Sequence, residues 1–422
     1  MASAPEPRRG RSPGHSHHHS HHHSHQGLAS LQNDGVTMAA TSPRIERILR
    51  IAVAVCAVVT LVGLVALWPS GDSASVDPAV LDADPIGARV QSVELRGCTY
   101  DPALECAVAV VGVTEGQSAG ETFEMEEPAR ATGKRLAAGD DILVLAQEFD
   151  DGTTSYTFYE YERETPLLFL VMLFAATIVL LGRWRGVGAL AGLVASLVVI
   201  VVFLLPSLLD GNNAVATALV ATSVIAFVAL YLAHGFNAAT TVALLSTFAA
   251  LIITGVLSWI FVHAASFTGF TDDSTQFLDL LQVPIDPRGI LLAGIMIGSL
   301  GVLDDVTVTQ VSAVWELRTA RPDLPTAQLY RQGLRVGRDH ISSTVNTLFL
   351  AYAGAALPLL LLFSEANQGI GGVATREIVA VEVVRALVGS IGLVSAVPIS
   401  TWLAAQVVRP RQDSTSHDEA SR

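Results

Sequence analysis

Residues 289–316 read GILLAGIMIGSLGVLDDVTVTQVSAVWE. A spanning helix needs about 20 mostly apolar residues to cross a hydrocarbon core about 30 Å thick, and this stretch is long enough. Yet it carries Asp304 and Asp305, with no lysine or arginine within ten residues on either side. If it runs as one span, Asp305 falls near the middle. Steps of four and three then pick out Gly294, Gly298, Gly301, Asp305, Thr309, Ser312 and Glu316, which share one face of one helix. The glycines allow a neighbouring helix to approach closely in lipid, and the same face then turns polar. An ionisable group inside a bilayer costs at least a few kcal/mol and by default marks an ion or proton pathway. On that reading Asp305, Thr309, Ser312 and Glu316 line a path, while Gly294, Gly298 and Gly301 pack helices. Asp304 is turned about 100° away and acquires no role. The alternative ends the span near Leu303 and makes Asp304 the cap of an interfacial helix.

Working outward, the chain has 422 residues, 51% of them hydrophobic, and a mean hydropathy of +0.48, which points to several bilayer spans. Eight are expected: 47–68, read as a retained signal anchor, then 166–182, 187–206, 214–233, 239–262, 289–316, 341–363 and 378–406. Arg183 and Arg185, then Arg318, Arg321, Arg331, Arg335 and Arg338, then Arg409 and Arg411 all fall on the side of the N-terminus. Short cytoplasmic segments carry the excess of basic residues, so both termini are expected in the cytoplasm.

The long insert 69–164 is then extracytoplasmic. It holds 20 acidic and 6 basic residues, an excess equal to the net charge of −14 of the whole chain. RVQSVEL, CAVAVVGV, DDILVLAQEF and TTSYTFYEYE alternate as strands, with Asp151-Gly152 as a turn, predicting a small barrel or sandwich. Cys98 and Cys106 lie where the redox environment permits a disulfide, and two free thiols are the other reading. At the N-terminus, GHSHHHSHHHSHQ holds eight of the twelve histidines. His17, His18, His19, His21, His22 and His23 offer imidazole nitrogens suited to Zn²⁺ or Ni²⁺, although a low-complexity tail without a selected role has the same composition.

Other spans supply partners for the aspartates. Asn346 in the seventh can donate to or accept from a carboxylate, and ordinary interhelical bonding is the competing reading. In the eighth, Glu382 and Arg385 are three apart and suited to an intramembrane ion pair, while Gly389 and Gly392 continue a close-packing stripe.

The succession GRWRGVGALAGL, LAHGFNAATTVALLSTF, GSLGVLDDVTVTQVSAVWEL, STVNTLFLAYAGAALPL and VEVVRALVGSIGLVSAVPIS resembles the YibE/F family of bacterial multi-spanning membrane proteins. It covers about 166 to 406, and the external AAGDDILVL is similar to that family's N-terminal part. The resemblance implies a single aspartate after methionine in the sixth-span motif, which places Asp305 at the common position and makes Leu303-Asp304 a departure. Asn346, Tyr352 and Arg385 fall on typical family positions. The architecture is implied more strongly than any activity.

The expected fold is therefore an all-α polytopic membrane bundle of about eight transmembrane helices with a small extracytoplasmic β-rich domain. Its parts are a His-rich cytoplasmic tail (1–45), the anchor (46–68), the external domain (69–164), a seven-helix membrane domain (165–408) and a cytoplasmic tail (409–422). An intramembrane aspartyl protease needs a second aspartate in another span, and none is present. No phosphate loop, zinc-protease helix or nucleophile elbow occurs either, so no enzyme and no cofactor are expected beyond metal on the histidine tail. The reading is a permease of the bacterial inner membrane that handles a proton or cation at Asp305. Its partners would be the bilayer and a small solute or ion, with no nucleic acid. The alternative is a non-transporting envelope factor whose external domain binds a protein.

Overall fold

The computed structural model describes residues 43–71, 85–116, 118–129, 134–148, 154–270, 285–365, 372–373 and 375–408. The histidine cluster His17 to His23, the Asp151-Gly152 turn and the 409–422 tail lie outside them.

Five strands form a separate β domain: β1 (Ile86–Gly97), β2 (Glu105–Val113), β3 (Thr122–Pro128), β4 (Asp141–Glu148) and β5 (Thr154–Tyr161). They make one antiparallel sheet in the order β3-β2-β1-β4-β5. The long β1 pairs with both β2 and β4, and its ladder with β2 shifts register between Val90 and Ser92. Such a bulge bends a strand and lets a sheet curl. The sheet nearly closes: Phe123 of β3 stacks on Tyr156 of β5 at 4.2 Å between ring centroids, and the Tyr156 hydroxyl lies 3.3 Å from the Glu121 carboxylate. Inside are Ala88, Val90, Ala109, Val111, Met125, Ile142 and Val144. Four of these strands overlap those read from alternation. The fifth, β3, is TFEMEEP, where Phe123 and Met125 alternate with Glu124 and Glu126; its glutamates mask an ordinary inside-outside strand. Cys98 and Cys106 are joined by a disulfide across the β1–β2 connection. Beside it the Thr99 amide and hydroxyl both donate to Glu126, which holds that carboxyl below its usual range.

Eight helices are assigned among the described residues: α1 (Pro43–Ala66), α2 (Glu164–Leu209), α3 (Ala214–His234), α4 (Ala238–Ala264), α5 (Pro287–Ala320), α6 (Thr326–Ala355), α7 (Leu357–Glu365) and α8 (Glu377–Val407). Starts follow from local chemistry. Asn213 and Asn237 accept the amides of Ala216 and Thr240, and Asp286 accepts that of Arg288, with Pro287 in the first turn. Six helices, namely α1 to α5 and α8, are long and apolar enough to cross a membrane. Continuous helix over the 46 residues of α2 would be about 69 Å long at 1.5 Å per residue. It breaks at Arg183, which sits at φ 50°, ψ −131°. Beyond the break the chain returns so closely that a Cβ on Gly186 would collide with the Ile178 carbonyl.

The expected span 341–363 is corrected. One helix, α6, begins at Thr326 in the arginine-rich segment and ends at Ala355, and α7 restarts it at Leu357. Pro358 has no N–H to give back to the preceding turn, so the break at Ala356 is the physical outcome. By contrast α5 is a single helix with Asp304 at its centre, capped by Asp286, so Asp304 caps no helix.

Helix α5 is also the hub. Its apolar window is 56% buried within the protein, against 6% for α1. Leu303 and Val306 of α5 join Ala218 of α3, Leu251 of α4 and Leu393, Ala396 and Val397 of α8 in one core. The buried Gln310 side chain donates to the Gly333 carbonyl of α6 at 2.8 Å and to the Thr401 hydroxyl of α8 at 2.7 Å. Gly333 and Gly337 leave room for this: side chains there would press on Val314, Thr401, Val397 and Gln310. At the end of α5, Arg318 is 1% exposed and its Nη1 donates to the carbonyls of Pro322 and Leu324, tying the turn into α6. At the opposite end of the bundle Glu377 accepts the amides of Thr268 and Gly269.

The glycines expected to pack helices divide accordingly. Gly389 lies against Ser299 and Leu348, and Gly392 against Thr254. Gly298 faces the Tyr352 hydroxyl. Gly294 and Gly301 have no atom within 4 Å of an added Cβ, so among the described residues they pack against nothing; their face of α5 is turned away from the core that Leu303 and Val306 occupy. Two outcomes follow. Gly337→Val overpacks the α5–α6–α8 junction and lowers the unfolding midpoint of the detergent-solubilised full chain, by about 1–3 kcal/mol, whereas Gly294→Ala stays within about 0.5 kcal/mol; equal losses would refute the assignment. In the barrel, Glu126 has a depressed folded pKa, so its bonds to Thr99 stabilise above the ordinary carboxyl range and the benefit fades as pH falls through the lowered value. The midpoint gap between wild type and Thr99→Val therefore narrows on acidification, and a gap independent of pH would contradict this.

Candidate functional site

A cavity of about 430 Å³ opens between α2, α3 and α5. Its polar lining is Ser196 from α2, His234 from the last turn of α3, and Asp304 and Asp305 from the middle of α5; the rest is largely apolar, including Leu193, Ile225 and Leu300. Backbone proximity builds two of its walls. A Cβ on Gly188 would strike the Leu232 carbonyl, and one on Gly192 would come within 3.2 Å of the Ala229 Cα. The α2 and α3 backbones therefore meet beside the cavity, and Gly301 leaves the facing surface of α5 bare.

The two aspartates are not equivalent. Asp305 is exposed along with Gly294, Gly298, Gly301, Thr309, Ser312 and Glu316. The whole stripe read from helical periodicity is a single surface, and it faces away from the chain's own core. Asp304 is partly buried, and its Oδ1 is enclosed with no hydrogen-bond partner. Thr247 of α4 reaches the Asp304 side chain, and the Thr247 and Thr307 hydroxyls are 2.8 Å apart, both fully buried. Of the expected path residues, the cavity brings in Asp305. Thr309, Ser312 and Glu316 continue along the exposed face outside its lining, and Asn346 is exposed on α6, also outside it.

Sequence reasoning passed over Asp304, Thr247, Ser196, His234 and Gln310. The signal for Asp304 was available: it falls beside Leu303 and Val306, on the side of the helix that packs. Thr247 and Ser196 carry no such mark, since buried hydroxyls commonly bond back to the preceding turn, as Ser196 does to the Gly192 carbonyl at 2.8 Å.

A second polar cluster lies on α8, where the Arg385 Nη1 meets the Glu382 carboxylate at 2.6 Å, each side chain 27% exposed. One group of potential metal ligands is gathered closely enough to share an ion among the described residues, Cys98, Cys106 and Glu126. Its two sulfurs are bonded to each other, so it offers no thiolate. His234, Asp304 and Asp305 share a cavity without converging in this way.

Apolar helices mark an integral membrane protein with a separate β domain. A family model described as YibE/F-like protein matches residues 170–410, more than half of the chain, and the chain belongs to that family. No curated protein and no solved structure matches it.

If the cavity holds water, its walls react from solution. Cys56 is the one free cysteine among the described residues. In a Cys56→Ala background, Asp305→Cys and Ser196→Cys should therefore label with a water-soluble maleimide, while Leu303→Cys, which is fully buried, stays unlabelled. Equal reactivity at all three positions, or none at Asp305→Cys, would exclude a wetted cavity.

Proposed function

We propose that this chain is a permease of the bacterial inner membrane that crosses the bilayer eight times with both termini in the cytoplasm, and that its α5 aspartates handle a proton or cation. The observation that carries the reading is the cavity between α2, α3 and α5. Two carboxylates at the centre of a long membrane helix line it, and no lysine or arginine is among its lining residues. Charge in the hydrocarbon region is tolerated where it lines a water-filled cavity or is paired. Eight crossings follow if α2 is two spans divided at Arg183 and if α6 with α7 makes another. The arginines at 183–185, 318–338 and 409–411 then share the cytoplasmic face. The reading involves no covalent chemistry. Asp305 takes up the ion from the open side of the cavity, and a change of charge at the aspartates shifts the packing of α5 against α3 and α4.

Reconstituted protein tests this with protons as the probe. Vesicles loaded with a pH-sensitive dye should show protein-dependent flux that falls at least about tenfold in Asp305→Asn and persists in Gly294→Ala. A deletion strain challenged with metals, pH and osmolytes gives the complementary answer. Full rescue by Asp305→Asn, together with no rescue by a chain lacking residues 70–162, would overturn the permease and favour a partner-binding external domain.

A further inference from the structure

One oxygen of the Asp304 carboxylate, Oδ1, is enclosed with no hydrogen-bond partner among the described residues. Thr307 donates its hydroxyl hydrogen to the Asp304 carbonyl at 3.1 Å. One hydroxyl hydrogen then remains, that of Thr247, and it has two claimants: the Thr307 Oγ1 at 2.8 Å and the Asp304 carboxylate. A hydroxyl carries one hydrogen and an ionised carboxylate none. Thr307 can also turn its hydrogen to Thr247 and free that of Thr247 for the carboxylate, yet in every arrangement the enclosed Asp304 Oδ1 has no partner among the described residues. All of this is packed where α4 meets α5, with Thr247 and Thr307 fully buried.

We propose that Asp304, Thr247 and Thr307 form a binding site for a small monovalent cation, sodium being the natural probe, which enters from the cavity. The inference rests on reading that cavity as an ion path. Hard cations take oxygen ligands, and a carboxylate, two hydroxyls and water from the cavity supply them. Charge selects a single positive ion. Asp304 contributes one negative charge, Thr247 and Thr307 are neutral, and the charged or titratable groups sharing the cavity are Asp305, which is exposed, and His234 from α3. A divalent ion would need more negative charge drawn in, and His234, Asp304 and Asp305 do not gather as a three-ligand set. The ion provides what the two hydroxyl hydrogens cannot, a positive partner for several oxygens at once.

The test is equilibrium binding by the purified full-length protein, so it does not depend on transport. Thermal unfolding in detergent is followed while sodium chloride replaces choline chloride at constant ionic strength. The wild type should gain a saturable rise in midpoint of several degrees. Gly294→Ala should keep it, Thr247→Val and Thr307→Val should weaken the apparent affinity about tenfold for one lost ligand, and Asp304→Asn should abolish it. Should Asp304→Asn not fold, the two valine variants, which preserve shape, decide the matter. A wild-type midpoint that responds to pH but not to sodium would assign the position to a proton and overturn the proposal. So would a sodium response unchanged in both valine variants. Loss of proton flux in vesicles with sodium binding intact would strike the permease reading and leave this site standing.

Discussion

A carboxylate at the centre of a helix long and apolar enough to cross a membrane constrains everything around it. The cost falls when the group meets water, a counter-ion or a matched set of dipoles, and α5 is built around that requirement. One side of the helix presents Leu303 and Val306 to the core, a second presents Asp304 to Thr247 of α4, and a third presents Asp305 to an open cavity. The small residues of α2 and α3 then have a shared purpose. Gly188, Gly192 and Ala229 bring two backbones together, so that the space beside the aspartates is bounded without being filled.

Much of this architecture could be read from the chain, because lipid enforces simple rules. Apolar runs mark helices, and arginines mark their ends. The β domain was equally legible where hydrophobic residues alternate, as in CAVAVVGV. Less accessible was anything set by tertiary contact. β3 is concealed by Glu124, Glu126 and Glu127, which satisfy period two but lower the apolar content. The α6–α7 break depends on where Pro358 falls relative to a helix that begins inside a basic segment. In the site, helical periodicity correctly grouped the stripe from Gly294 to Glu316 on one face. Periodicity gives the face but not its direction. The glycines suggested that this face packs, whereas it is the open one, and the inward aspartate proved to be the neighbour outside the repeat.

The β domain and the bundle are stabilised by different means. The barrel relies on a short disulfide-braced connection, an aromatic stack and a compact aliphatic core, which suit a small domain with limited surface to bury. The bundle relies on close backbone approach and a few buried polar ties, since apolar burial in lipid gives little net drive between helices. Gln310 is the clearest such tie, because it fastens α6 and α8 to α5 through one side chain.

Arg318 gives that fastening a mechanical consequence. Its guanidinium grips the carbonyls of Pro322 and Leu324, so the turn following α5 cannot swivel independently of it, and Gln310 clamps the next helix a few turns further on. A rotation of α5 about its own axis would therefore be passed on as displacement of the arm bearing Arg331, Arg335 and Arg338, all exposed. The middle of the bundle and its basic arm are geared together, with α5 as the shaft.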